Sequence, residues 1–198
     1  MKNFASQVTN FLNRVGLNQL TGSNNTPQYN QVKTVINQQL KNHFVTLWSE
    51  KIQREAASHG GGRNKLRTYR LFKSEYGVEP YVEILSRQQR RAMAKFRFGT
   101  APIRIETGRY YGEPEEQRLC RLCLLNDIEN ELHVIVKCPQ YDDIRKTLFE
   151  SAATICDNFN NFQDCDKLTF LFSSPDIVKC TAYACHNILE MRSRLMML

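Results

Sequence analysis

Nowhere does this 198-residue chain run apolar for long. A membrane-spanning helix needs roughly 20 consecutive apolar residues, so no membrane partner is expected. The opening residues MKNFASQVTNFLNR hold no unbroken apolar core and no small-residue cleavage site, so no secretory leader is expected either. Internal repeats and low-complexity tracts are missing. So are a phosphate-binding loop and a nucleophile with its base, which leaves no catalytic residue to name and no small-molecule substrate to expect.

What the chain does contain is ordinary for a folded protein. Hydrophobic residues make up 41% and charged residues 24%, the balance of a soluble globular chain able to bury a core. The length suits one domain, or one domain with a helical extension. Seven cysteines without a leader point to an intracellular, reducing setting, the nucleus included. There, thiols serve metals or cores rather than disulfides.

Four residues say more. Cys120, Cys123, His133 and Cys138 read C-x2-C-x9-H-x4-C, the ligand types and close spacing that let one short segment wrap a tetrahedral zinc ion. Thiolates three residues apart share a metal only where the backbone turns tightly, and Arg121-Leu122 supplies such a turn. A short helix expected over Glu129–Val136 carries the second pair. On an ideal helix a five-residue step leaves His133 and Cys138 about 140° apart. Pro139 relieves this by disfavouring helical backbone at Cys138, so that the chain can bend and return the thiol. With all four positions filled by protein, the expected Zn²⁺ is structural rather than hydrolytic. Its net charge of about −1 falls beside Arg118, Arg121 and Lys137. Downstream, Cys156, Cys165, Cys180, Cys185 and His186 match no metal spacing, and the thiols are expected to be buried and free.

Charge is the second signal. The net value is +7, but residues 1–62 carry 6 basic and 2 acidic side chains, residues 63–109 carry 12 and 4, and residues 110–198 carry 9 and 14. The surplus lies just ahead of the zinc segment and favours a polyanion, RNA or DNA. Within it, Ser86 caps a helix running to about Phe98 and closed by Gly99. Ala92, Met93 and Phe96 are expected inside, with Arg87, Arg90, Arg91, Lys95 and Arg97 on the outer surface. Guanidinium forks match phosphate oxygens bidentately. Arg104 and Arg109 stand beside Tyr110 and Tyr111, a pairing that can grip a sugar-phosphate chain and stack on an unpaired base. Tyr69 with Arg67 and Arg70 offers another. The candidate nucleic-acid contacts are therefore Arg87, Arg90, Arg91, Lys95, Arg97, Arg104, Arg109 and Tyr110.

The remaining pattern predicts a mostly α protein, amphipathic helices around a small irregular zinc knuckle with little β. Phe4, Val8, Phe11, Leu12 and Val15 mark a first helix, followed by a polar linker at Thr21–Thr26 and a cap at Thr26-Pro27. Val32, Val35, Ile36, Leu40, Phe44, Leu47, Trp48 and Ile52 mark a long second one from Tyr29 to Ala57, with Trp48 in the core. Gly60-Gly61-Gly62 forms a joint, with His59 in a solvated loop. A helix is predicted over Asn64–Tyr76, β or loop over Pro102–Tyr111, and helices over Tyr141–Ile155 and Ile177–Met197. This gives a helical extension over 1–62, a basic segment over 63–112, a zinc knuckle over 113–140 and a helical segment over 141–198.

Tyr141-Asp142-Asp143 looks like the end of a polymerase motif, in which adjacent carboxylates hold two divalent metals. That chemistry needs a strand turn and a third carboxylate. Here Ile144, Leu148, Ala152 and Ile155 continue as a helix, and two acids in its first turn suit the helix dipole.

With these residues in place, KLRTYRLF, EPYVEILSRQQRRAMAKFR, PIRIETGRYYG and CRLC…ENELHVIVKCPQYDDIR together resemble the C-terminal region of LINE-type, non-LTR retrotransposon reverse transcriptases. The resemblance spans Lys65 to Glu150, under half the chain, and is most specific at the cysteine–histidine element. In that family the element follows the polymerase core and is associated with binding template RNA or target DNA. The resemblance implies zinc ligands at Cys120, Cys123, His133 and Cys138. The family's polymerase aspartates and endonuclease have no counterpart here, and 64 residues before the match are too few to hold them. A non-enzymatic nucleic-acid-binding tail is therefore expected; the alternative is a zinc-stabilised protein-interaction module.

Overall fold

Helical structure covers most of the described chain, residues 4–14, 16–17, 29–57 and 66–197 of the computed structural model. The chain divides into two units, Met1–Arg54 and Glu55–Leu198. The expected linker at Thr21–Thr26, the Thr26-Pro27 cap, His59 and the Gly60–Gly62 joint lie outside the described residues.

The first unit holds α1 (Phe4–Arg14) and most of α2 (Tyr29–Ala57). At 1.5 Å per residue, α1 is about 16 Å long and α2 about 43 Å. Much of the apolar stripe of α2 meets water: Val35, Phe44 and Leu47 are between 40% and 50% exposed. Trp48 is only half-buried, outside the buried core expected for it.

The second unit contains α3 (Tyr69–Phe72), α4 (Tyr81–Ile84), α5 (Arg87–Arg97), α6 (Arg104–Tyr110), α7 (Asp142–Ile155), α8 (Asp164–Ser173) and α9 (Val178–Leu195). Ser86 opens α5 through a capping box, its hydroxyl accepting from Gln89 N while the Gln89 side chain accepts from Ser86 N. Gly99 follows the helix at φ +59°, a left-handed turn that glycine makes without strain. The C-terminal helix α9 is the hub, with α5, α7 and α8 all packed on it. Met93 and Phe96 from α5, Leu148 and Ala152 from α7, Leu168 and Leu171 from α8, and Ala182, Cys185 and Ile188 from α9 form the shared core. The short α3 docks on α8, where Phe72 stacks on Phe172 at 4.7 Å.

The mostly α architecture is as the sequence predicts; among the described residues the β content is a single antiparallel bridge, Leu119 to Ile128. No described helix is long and apolar enough to cross a membrane. Three local expectations change. Of the helix expected over Asn64–Tyr76, the described part from residue 66 on is helical only at α3, because the backbone turns extended at Lys73 and that side chain reaches forward to the Gly77 carbonyl at 2.7 Å. The β or loop segment over Pro102–Tyr111 is largely α6. Its first N–H group, which has no partner within the helix, is met from afar, Arg104 N donating to the Glu129 carboxylate at 2.8 Å. Finally, α8 was not anticipated, although Asp164 and Asp166 in its first turn suit a helix N-terminus.

Candidate metal centre

A miniature hairpin positions the first two thiols. Cys120 N donates to Asp127 O at 2.9 Å and Glu129 N to Arg118 O at 3.0 Å, closing a loop of bends over 121–125. Asn126 at φ +53° completes the reversal, in a conformation its short polar side chain tolerates. The other two ligands come from the turn that follows. Asn130 caps it, its side chain accepting from His133 N at 2.9 Å.

His133–Lys137 then forms a π turn rather than an α turn, closed by Cys138 N donating to His133 O at 2.7 Å. An i→i+5 ring widens the helix enough to bring residues five apart toward one face. This removes most of the divergence that an α-helix would impose. Cys138 itself is extended (φ −61°, ψ 118°) ahead of Pro139, as the proline requires.

These two devices make the four donors converge. Their ligand atoms lie within 4.8 Å of one another, so Cys120, Cys123, His133 and Cys138 could hold a metal ion. Tetrahedral coordination with bonds of about 2.3 Å to sulfur and about 2.0 Å to nitrogen sets sulfur–sulfur edges of about 3.8 Å and sulfur–nitrogen edges of about 3.5 Å. The Cys120 and Cys138 sulfurs are 3.9 Å apart, and Cys123 Sγ is 3.4 Å from His133 Nε2. The donor set fits one closed centre.

Burial sets the charge state of three of the four donors. Burial pushes the Cys138 thiol up to about 12 and raises Cys120. Burial also holds His133 below the usual imidazole range, against the pull of Asp127. Low-dielectric surroundings thus favour the neutral forms of Cys120, Cys138 and His133, and a metal ion would have to supply the charge that the two thiolates need. Of the residues expected to offset the site, Arg118 donates to the Ile105 and Glu113 carbonyls, Arg121 reaches Glu113 at 3.9 Å, and Lys137 sits between Asp127 and Asp164. One guanidinium that bonds the second ligand turn was not expected. Arg145 donates to the Cys138 and Ile135 carbonyls and pairs with Asp142, fixing the second ligand turn to α7.

Glu129 was also missed, and it joins three elements. Its carboxylate takes both Arg192 nitrogens of α9, at 2.9 and 2.8 Å, as well as Arg104 N of α6. Two residues on, buried Glu131 pairs with Arg67. The acids flanking Asn130 in ENE were the available signal, since acids beside apolar ligand residues must find partners if buried.

The expected basic surface is divided by the fold. Arg87 and Arg91 are exposed, and Lys95 is half-exposed, with no ion pair among the described residues. Arg90 is half-buried and donates to Val82 O, tying α5 to α4. Arg97 is 0% exposed, contrary to its expected surface position. It pairs with Glu79, donates to the Phe172 carbonyl, and lies 5.3 Å from the Phe72 ring and 5.2 Å from Tyr81. Arg104 is buried against Glu113, whose carboxyl it holds below the usual range. Arg109 pairs with Glu106 at 2.6 Å, beneath an exposed Tyr110 whose hydroxyl donates to the same carboxylate. Tyr69 is buried and stacked on Phe98 rather than free to meet a base.

All seven cysteines are free thiols. Downstream, only Cys185 is buried as expected; Cys156 is half-buried, while Cys165 and Cys180 are exposed on outward faces of α8 and α9. Asp142 is occupied by Arg145 in the first turn of α7, and Asp143 is exposed beside it.

Compared with protein-family models, curated proteins and solved structures, the chain matches none.

Proposed function

We propose that the protein is a non-enzymatic nucleic-acid-binding module whose basic surface is braced by a structural zinc ion, akin to the tail of a non-LTR retrotransposon reverse transcriptase. The observation that carries the metal half is the convergence of three thiols and an imidazole within 4.8 Å of one another, two of the pairs at tetrahedral edge lengths. Three soft sulfur donors and one nitrogen in that geometry suit Zn²⁺. With four protein ligands there is no open position for water, so the ion would supply a cross-link and charge, not hydrolysis.

The nucleic-acid half rests on the basic surplus of residues 63–109 and on Arg87, Arg91 and Lys95 of α5. Their chemistry is that of phosphate contact, which gives affinity without sequence preference. Exposed Tyr110 and Tyr111 add faces on which an unpaired base can stack. Arg97 and Arg104 drop out of this surface, since both are spent inside the fold.

Filter binding of RNA and DNA oligonucleotides across a salt series tests the reading. The expected log–log slope is clearly negative, and Arg87→Ala/Arg91→Ala/Lys95→Ala should make it shallower by about 2 to 3 units. A slope near zero, or an unchanged slope in the triple variant, rejects nucleic-acid binding through α5. Capture of a protein that survives nuclease treatment would favour an interaction module instead.

A further inference from the structure

The metal site has one donor group left over. His133 is 2% exposed, and with Nε2 turned to Cys123 its Nδ1 is buried without a hydrogen-bond partner. A buried ring nitrogen in that position calls for an acceptor, because whatever binds the second nitrogen fixes which way the first one faces. Two carboxylates stand close. Glu129 is committed, its oxygens taken by Arg192 and Arg104 N. Asp127 is not: its Oδ2 lies 3.6 Å from His133 Nδ1, just beyond hydrogen-bond length, on a side chain that is 46% exposed and able to adjust.

We infer that Asp127 is the positioning residue of the metal centre, accepting from His133 Nδ1 so that Nε2 is presented to the ion. The inference rests on the metal reading above. Asp127 is well placed for the task, since its backbone carbonyl already accepts from Cys120 N. One residue of the hairpin thus touches ligands from both halves of the site. Lys137 faces the same carboxylate at 3.9 Å and Asp164 of α8 at 3.8 Å, so the acceptor is itself steadied by an ion-pair chain leading away from the metal. Carboxylates placed this way behind a ligating histidine typically contribute 10- to 100-fold to metal affinity.

The experiment uses the full chain, stripped of metal and titrated with Zn²⁺ against a chromophoric chelator. Asp127→Ala should weaken binding by about 10- to 100-fold. Asp127→Asn, which keeps an acceptor oxygen, should recover part of that loss, and Lys137→Ala should stay within about twofold of the parent because it leaves the imidazole's partner in place. Long-range ¹H–¹⁵N correlation on the Zn²⁺-loaded parent should show His133 bound through Nε2 with a proton on Nδ1, a readout that a merely structural aspartate would not govern. Affinity of Asp127→Ala within twofold of the parent, or coordination through Nδ1, overturns the assignment while leaving the metal centre intact. A parent chain that binds no Zn²⁺ overturns both.

Discussion

Around α9, Met93, Phe96, Leu171 and Ile188 are shut away from water, each at 1% exposure or less. Burying a side chain of that kind contributes about 1.5–3 kcal/mol, so apolar packing is the main fastening of the helices carrying them. The hairpin from Arg118 to Glu129 belongs to the same unit but is built differently. Leu124 at its tip is 98% exposed and Leu125 51%, while the groups it buries are a thiol, a carboxylate and a guanidinium. A two-stranded hairpin is at best marginal alone in water. What holds this one is polar and specific: Glu129 in the grip of Arg192 and Arg118 on the Ile105 and Glu113 carbonyls, beside four converging donors that could take a metal ion. One half of the unit would tolerate repacking; the other depends on individual atoms.

The sharpest way to break the polar half without touching a ligand is Glu129→Ala. It leaves the Arg192 guanidinium buried without a counter-charge and removes the acceptor of α6's first N–H. Losing one partner of a buried pair costs about 3–5 kcal/mol, to be read from urea denaturation. Gly108→Ala probes the seam between α6 and the hairpin. A Cβ there would stand 2.7 Å from Arg118 Cγ, on a side chain held by three hydrogen bonds, so a cost of about 1–3 kcal/mol is expected from thermal melts. Smallest in stability is Arg91→Ala on the exposed face of α5, within about 0.5 kcal/mol of the parent. Its effect should appear instead as a salt slope shallower by about one unit in oligonucleotide binding.

The ligand set was legible because its information is local: residue type and spacing are both in the sequence, and Pro139 announces the bend at Cys138. The π turn was not, because an α-helix and a π turn share the same apolar pattern in HVIVK. Helix α5 was legible down to its Ser86 cap, yet neither the Gln89 half of the capping box nor the fate of Arg97 was. Helical phase places it beside the apolar face, but only the fold reveals that Glu79 and the Phe72 and Tyr81 rings form a cage there. The same holds for α6, whose N-terminus is satisfied by a glutamate 25 residues away. Features fixed by neighbours in sequence could be read; features fixed by a distant carboxylate could not.

The central claim, that a bound cation holds the hairpin while apolar packing holds the bundle, can be tested by hydrogen exchange on the purified chain before and after metal removal. The metal-bound protein should contain one Zn²⁺, and chelation should strip amide protection from residues 118–138 while α5 and α9 keep theirs. A chain purified without metal that protects Cys120 N and Cys138 N as strongly as the α9 core, or protection unmoved by chelation, would contradict it.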